Sequence, residues 1–332
     1  MATHFELPNS LRIGLDQAVR GSNPEALARR ATELSAGYRA GQPLPLRTPD
    51  AALAYAITRM PATFAAIAAA MAATQASVPA FAPHQLLDVG AGTGAALWAA
   101  TTIWPTLHNA TLLEQSAVMR ALGQRFAAKG QGAVAAAQWQ ASDVTAAWQA
   151  PPHDLVSCAY LLGELTPADQ AVLITRLWAQ TRGVLLLIEP GTPQGWSVIR
   201  AAREQLRSAG ATLAAPCPHA ETCPLSDPDW CHFSQRLARS SSHRAAKGAD
   251  RSYEDEKFSY LAVSRDPVQP AAARVLRHPL IQPGRISLQL CTPDGLATRT
   301  ITRSEREAWP LARDLRWGAA LPLELLDKTK FP

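Results

Sequence analysis

Over the first eighty residues apolar positions recur every three or four places, whereas from residue 84 they gather into short continuous runs. Leu11, Leu15 and Val19 share one face of a helix that Gly21 would stop. Pro24 suits the start of a second helix ending near Gly41, and a third is predicted from Pro49 through Met60 to Met71. The later runs are "QLLDVGAG", "ATLLE", "AAAQWQASD", "HDLVSCAY" and "GVLLLIEPG", separated by stretches long enough for crossover helices. A strand that is apolar at every position must be buried on both faces. The expected class is therefore α/β, a doubly wound parallel sheet with helices on either side. A helix over 193–209 follows, then a strand at 257–265 and a hairpin at 284–302 turning on "PDG". Residues 240–256 read as a polar loop, and the C-terminal "RSEREAWPLARDLRWGAALPLELL" as a basic, partly helical tail.

Four regions result: a helical extension over 1–80, a core over 81–210, a cysteine-rich and basic insertion over 211–256, and final strands with the tail over 257–332. Composition adds four constraints. The longest Ala-rich apolar stretch, 64–78, is too short for a bilayer and polar residues interrupt it, so no membrane is expected. The opening "MATHFELPNS" lacks a basic patch followed by an apolar stretch, which gives a cytoplasmic expectation. Five cysteines, an odd number, point to metal or redox chemistry rather than disulfides. The net charge of +5 is uneven: 13 Lys/Arg against 12 Asp/Glu before residue 201, and 19 against 15 after it. A monomer is expected.

"LLDVGAGTGAALWAA" is a buried strand, a glycine turn and an Ala-rich helix, which aims a helix N-terminus at a ligand. It satisfies the loose dinucleotide pattern. Asp88, two residues before Gly90, would repel a pyrophosphate but can bond the ammonium of an amino acid. The spacing Gly90-x-Gly92-x-Gly94 resembles class I S-adenosylmethionine-dependent methyltransferases, a Rossmann-like fold. Glu114, ending the next strand, suits ribose hydroxyls with either cofactor. Asp143, after the third strand, stands where that class addresses the adenine amine. The fourth strand ends "SCAY" and lacks the Asn/Asp-Pro-Pro-aromatic turn of exocyclic-amine methylation. Cys158 is a nucleophile for pyrimidine methylation or a small buried hydrophobe. Tyr160 and Glu164 sit at the right end of the sheet to meet cofactor or substrate. No catalytic residue is assigned.

Cys217, Cys223 and Cys231 fall within fifteen residues, and three thiolates leave a coordination site open. Ile286, Leu288 and Leu290 take one face of their strand, while Cys291 lies on the other with Ser287 and Gln289. A structural cysteine would take the apolar face, so Cys291 is the candidate fourth ligand. Four thiolates suit zinc or an iron–sulfur cluster, and His219 or His232 could complete a zinc site instead. A zinc-containing nicotinamide-dependent oxidoreductase thus stays open.

"CPH…CPL…WCHFSQR", "EDEKFSYLAVSR", "RVLRHPLIQPGRISLQLC" and "RWG" resemble the methyltransferase-like proteins that assist assembly of the small ribosomal subunit. The resemblance covers nearly the whole chain. It implies a [4Fe–4S] cluster on Cys217, Cys223, Cys231 and Cys291, an S-adenosylmethionine pocket around Asp88, Gly90, Gly92 and Glu114, and binding to small-subunit rRNA. Such a protein is either a methyltransferase or a scaffold without turnover. Arg236, Arg239, Arg244, Lys247 and Arg251 follow the cysteines and offer phosphate contacts.

Overall fold

The computed structural model describes residues 5–39, 46–240, 244, 251–322 and 325. Four helices come first: α1 (Asn9–Arg20), α2 (Pro24–Arg39), α3 (Pro49–Thr58) and α4 (Met60–Ser77). The single third helix expected from the pattern is two, bent by 51°. Pro61 explains the break, because a proline ring cannot donate to, and collides with, the carbonyl four residues back. It sits in the first turn of α4, where a missing N–H costs nothing. No single helix among the described residues is long and apolar enough to cross a membrane.

The central sheet runs β1 (Gln85–Val89), α5 (Ala95–Ile103), β2 (Asn109–Leu113), α6 (Ala117–Ala127), β3 (Gln138–Gln140), β4 (His153–Ala159), α7 (Pro167–Ala179), β5 (Thr181–Pro190), α8 (Pro193–Ser208), β6 (Thr212–Ala215), β7 (Phe233–Ala238) and β8 (Tyr253–Ser264). Its order is β3-β2-β1-β4-β5-β8-β6, with β7 paired to β8. Strands β1 to β5 are parallel, and β8 runs antiparallel to β5, β6 and β7. An antiparallel strand inserted between the fifth and sixth is the arrangement of a class I methyltransferase-like fold. The continuous apolar runs divide by alternation: Leu186 and Ile188 of β5 join the core under α3–α6, while Leu185 and Leu187 join the core under α7 and α8.

Beyond β8 lies a separate antiparallel sheet of β9 (Arg274–Val275), β10 (Leu280–Gln282), β11 (Arg285–Thr292) and β12 (Gly295–Thr302), followed by α9 (Ala308–Asp314). The expected hairpin is β11 and β12, in register from Arg285↔Thr302 to Thr292↔Gly295. Ile286, Leu288 and Leu290 enter this sheet's own core, as their alternation requires. Residues 240–256 are not all loop, because β8 begins at Tyr253 and pairs back onto β7.

Candidate functional site

At the C-terminal ends of β1, β2 and β4 opens a cleft of about 900 Å³, within the range of small-molecule sites. Gly90, Gly92, Glu114, Tyr160, Leu161 and Glu164 are among its walls, and Leu46 and Arg47 of the α2–α3 connection close one side. A smaller recess beneath it holds Asp88, Gly90 and Gly92. Gly90 has φ +74°, and a Cβ there would stand 2.6 Å from the Leu161 side chain, so turn and facing loop require glycine.

Asp88 is buried, with one oxygen accepting from Ser157 Oγ at 2.7 Å. The other oxygen, Oδ2, has no partner among the described residues. Burial drives its pKa up to about 7, opposed by the Ser157 hydrogen bond and helped by the charge of Glu114. A buried acceptor beside a glycine turn fits a ligand ammonium. Glu114 accepts from Gly92 N at 2.8 Å and Ser116 N at 2.7 Å. Burial raises its pKa against those bonds, and a carboxylate has lone pairs left for ligand hydroxyls. The N–H groups of Gly90, Ala91, Gly92 and Gly94 all donate within the protein. Such a turn has little to offer a pyrophosphate, which tells against a dinucleotide.

Asp143 lies otherwise than expected. Its carboxylate is exposed and accepts from the N–H and hydroxyl of Thr145, while its neighbours Ser142 and Val144 line the cleft. An acid two residues before a threonine satisfies its own turn more cheaply than it reaches across a cleft. Tyr160 lines the cleft with φ +58°, a left-handed backbone rare for a bulky residue. Its hydroxyl donates to Glu256 at 3.3 Å, and Glu256 is paired with Arg59 at 3.0 Å. Cys158 is fully buried with its pKa pushed well up by burial, so it behaves as a small core residue and offers no accessible nucleophile.

The four remaining cysteines line one cavity of about 40 Å³, room for more than a single water. Cys291 leaves the β11 core and packs with Cys223, Cys231, Trp196 and Leu276. The loop and the distant strand therefore meet. Among the described residues, no three His, Cys, Asp or Glu side chains form a group that could hold a single metal ion. The four cysteines thus share a cavity without forming a single-ion site. Burial raises the pKa of Cys217, Cys231 and Cys291, the last to about 12. His219 Nε2 lies 3.5 Å from Cys291 Sγ. His232 points elsewhere: its ring stacks on Trp230 and its Nδ1 faces the Trp230 carbonyl.

Two buried guanidiniums that the sequence reading missed belong to this cavity. Arg203 of α8 donates to Cys217 Sγ at 3.4 Å and to the carbonyls of His219 and Glu221. Arg274, in register with Cys291, reaches Pro216 O at 2.9 Å and Gly318 O at 3.1 Å. Among the described residues no carboxylate lines the cavity. Four soft donors with the three arginines Arg200, Arg203 and Arg274 and, among the described residues, no acid fit an anionic centre larger than one ion. Arg203 had a signal: it interrupts the apolar stripe of Trp196, Ile199 and Leu206 on α8. Replacing it with Met should leave the half-buried Cys217 thiol and two backbone carbonyls without this donor, at roughly 1–3 kcal/mol in all. The Arg203→Met protein should melt well below wild type, while Arg200→Met, which removes a half-buried cation stacked on Trp196 in the cavity wall, should melt closer to wild type.

The basic segment departs from expectation. Arg236 makes two bonds to Asp255, at 2.7 and 2.9 Å, and Arg239 two to Glu254, at 3.2 and 2.9 Å. The β7–β8 register sets Arg236 opposite Asp255, so these two cations are already matched and are not free for phosphate. Arg244 and Arg251 are exposed, and Lys247 lies outside the described residues.

The family model described as "Mitochondrial small ribosomal subunit Rsm22" matches residues 49–322. The "Ribosome assembly protein METTL17, mitochondrial" of Homo sapiens is 30% identical over 306 residues, which cover 86% of this chain and 65% of that protein. The "Rsm22-cox11 tandem protein 2, mitochondrial" of Schizosaccharomyces pombe is 27% identical over 192 residues, 43% of this chain and 25% of that one. The chain thus spans less than two thirds of either relative's length. Among solved structures, the magnesium protoporphyrin IX methyltransferase of Synechocystis PCC 6803 with bound SAH has a TM-score of 0.41 at 14% identity, covering 62% of this chain and 84% of that one. A TehB-like SAM-dependent methyltransferase of Corynebacterium glutamicum has a TM-score of 0.39 at 13% identity, covering 74% and 100%.

Proposed function

This chain belongs to the Rsm22 family, and from that premise we propose that it is a cofactor-binding assembly factor of the small ribosomal subunit. In this reading S-adenosylmethionine occupies the cleft, and a [4Fe–4S] cluster is held by Cys217, Cys223, Cys231 and Cys291. The observation that carries the reading is the meeting of those four thiols, one from a strand sixty residues downstream, around a single acid-free cavity. Four cysteines that line one cavity without forming a single-ion group support a multinuclear centre over a lone zinc ion, whose ligands close directly on the metal.

Each group has its own residues. Asp88 Oδ2 would accept the cofactor's ammonium, and Glu114 its ribose hydroxyls. When bound, the cofactor supplies an electrophilic methyl group and the cluster a covalent tie between the 217–231 loop and β11. Arg203 and Arg274 would balance the negative charge of the thiolates.

Two measurements test the reading. Protein purified without oxygen should be brown and contain iron and acid-labile sulfide; zinc with neither would overturn the cluster. Calorimetric titration should show binding of S-adenosylmethionine and none of NAD. Tritium transfer from labelled cofactor to immature small subunits then decides turnover. Label above a heat-killed control makes the protein a methyltransferase; no label makes it a scaffold.

A further inference from the structure

The outer face of the β7–β8 hairpin is made of alternate residues. Ser234, Arg236 and Ala238 of β7 register with Lys257, Asp255 and Tyr253 of β8. Alternation brings Tyr253, Asp255 and Lys257 to one side, and all three are exposed, whereas Glu256 and Phe258 turn inward. Tyr253, at 37% exposure, is one of few large apolar side chains left open to solvent. The Arg236 guanidinium lies 4.2 Å from the centre of its ring, fixed there by both oxygens of Asp255.

The same surface continues onto the tail. The Asp255 carboxyl is held below its usual range chiefly by the Arg236 hydrogen bond, with smaller contributions from His278 and Arg251. The exposed His278 ring stands edge-on to Trp317, with centroids 5.0 Å apart, and the Arg277 guanidinium is 5.7 Å from the same indole. Flat groups and cations therefore alternate along one surface beside the thiol cavity. Among the described residues, Arg236 pairs with Asp255 and Arg277 with Asp229, and Lys257 and Arg251 are exposed.

We infer that this surface docks a single-stranded stretch of RNA, with bases against Tyr253 and His278 and phosphates against Lys257 and Arg251. The inference rests on the ribosomal reading above and gives it an address. The physical reason is the mixture of surfaces. Unpaired bases expose π faces that stack on aromatic rings and guanidinium planes, and a paired duplex hides them. Arg236 is a poor phosphate ligand because Asp255 already satisfies it, but that pairing holds its plane still over Tyr253. The surplus of positive charge suits a phosphodiester chain. An acidic peptide would use the charge and leave the planes idle.

Fluorescence anisotropy on the full-length protein tests this with three probes: a short labelled single-stranded RNA, the same RNA as a duplex, and polyglutamate. The single strand should bind most tightly. Tyr253→Ala should weaken it roughly tenfold without changing the salt dependence, since a neutral ring displaces no counterion. His278→Ala should weaken it in the same sense. Lys257→Glu should flatten the slope of log affinity against log salt by about 0.7. These side chains are exposed, so melting temperatures should stay at the wild-type value and confirm folding. Wild-type protein that binds the single strand while all three variants bind equally well would overturn the address and leave the ribosomal reading standing. Preference for polyglutamate would replace RNA with a protein partner. Failure of the wild type to bind RNA at low salt would sink the broader reading as well.

Discussion

Cys291→Ser protein is expected to lose the brown colour and the iron of the wild type, and to melt roughly 10 °C lower. The size follows from where the residue stands. Cys291 is the one thiol of the cavity that comes from the second sheet; the other three belong to the loop between β6 and β7. A centre bound by all four would cross-link two modules that also meet through Arg274, the Arg277–Asp229 pair, the Trp317–His232 contact and a small apolar cluster. Metal-binding free energy is then folding free energy for the join between them. Cys158→Ser is the matched control: that thiol is buried in β4 against the other core, so the variant should keep its iron whatever it loses in stability. Iron analysis beside thermal melting gives both numbers. Full iron in Cys291→Ser would show that the centre rests on three cysteines, with His219 the nearest replacement.

Asp88→Asn is expected to move stability and ligand binding in opposite directions. Burial pushes the Asp88 carboxyl up to about 7, against about 3.9 for an unfolded chain. Between those two values the folded state keeps a proton that the unfolded state has released, so stability falls as pH rises from about 4 to about 7 and is level above. At about 1.4 kcal/mol per pH unit, the loss reaches at most about 4 kcal/mol. An amide carries no charge, so Asp88→Asn should lack this decline and, at pH 8 without ligand, melt above the wild type. Part of the slope will persist, because Glu189 is also raised to about 7 by burial. Affinity for S-adenosylmethionine should fall roughly tenfold or more, the value of a hydrogen bond to a charged group. Melting curves across pH and calorimetry check both arms. A variant that melts lower at pH 8, or binds the cofactor unchanged, would show that Asp88 does not face the ligand as a charge.

Much of the fold was legible because its signals are local. The runs at β1, β2, β4 and β5 needed only the rule that doubly buried strands are apolar throughout. Asp88 and Gly90 were legible because a strand, a glycine turn and a helix are contiguous in the chain. The alternation of Ile286, Leu288 and Leu290 was enough to set Cys291 apart on the opposite face. Other features depended on partners the chain brings in from a distance. The pairing of β7 with β8 matched Arg236 to Asp255 and Arg239 to Glu254, turning an apparent row of phosphate ligands into satisfied pairs. Asp143 was placed at the right strand end, yet a threonine two residues on engages its carboxylate. The break at Pro61 could be read locally, but the apolar run through it concealed the bend.

By itself the amino-acid order determined the parallel sheet, the glycine turn, the β11–β12 hairpin and the cysteines that leave their apolar stripes. Each follows from the sterics and solvation of neighbouring residues. Only the tertiary structure decided which cations are already paired, which carboxylate oxygen of Asp88 goes without a partner, and that arginines rather than acids sit beside the thiols. Those outcomes depend on groups far apart in the chain, and charge, burial and hydrogen bonding are settled by what surrounds a side chain in space.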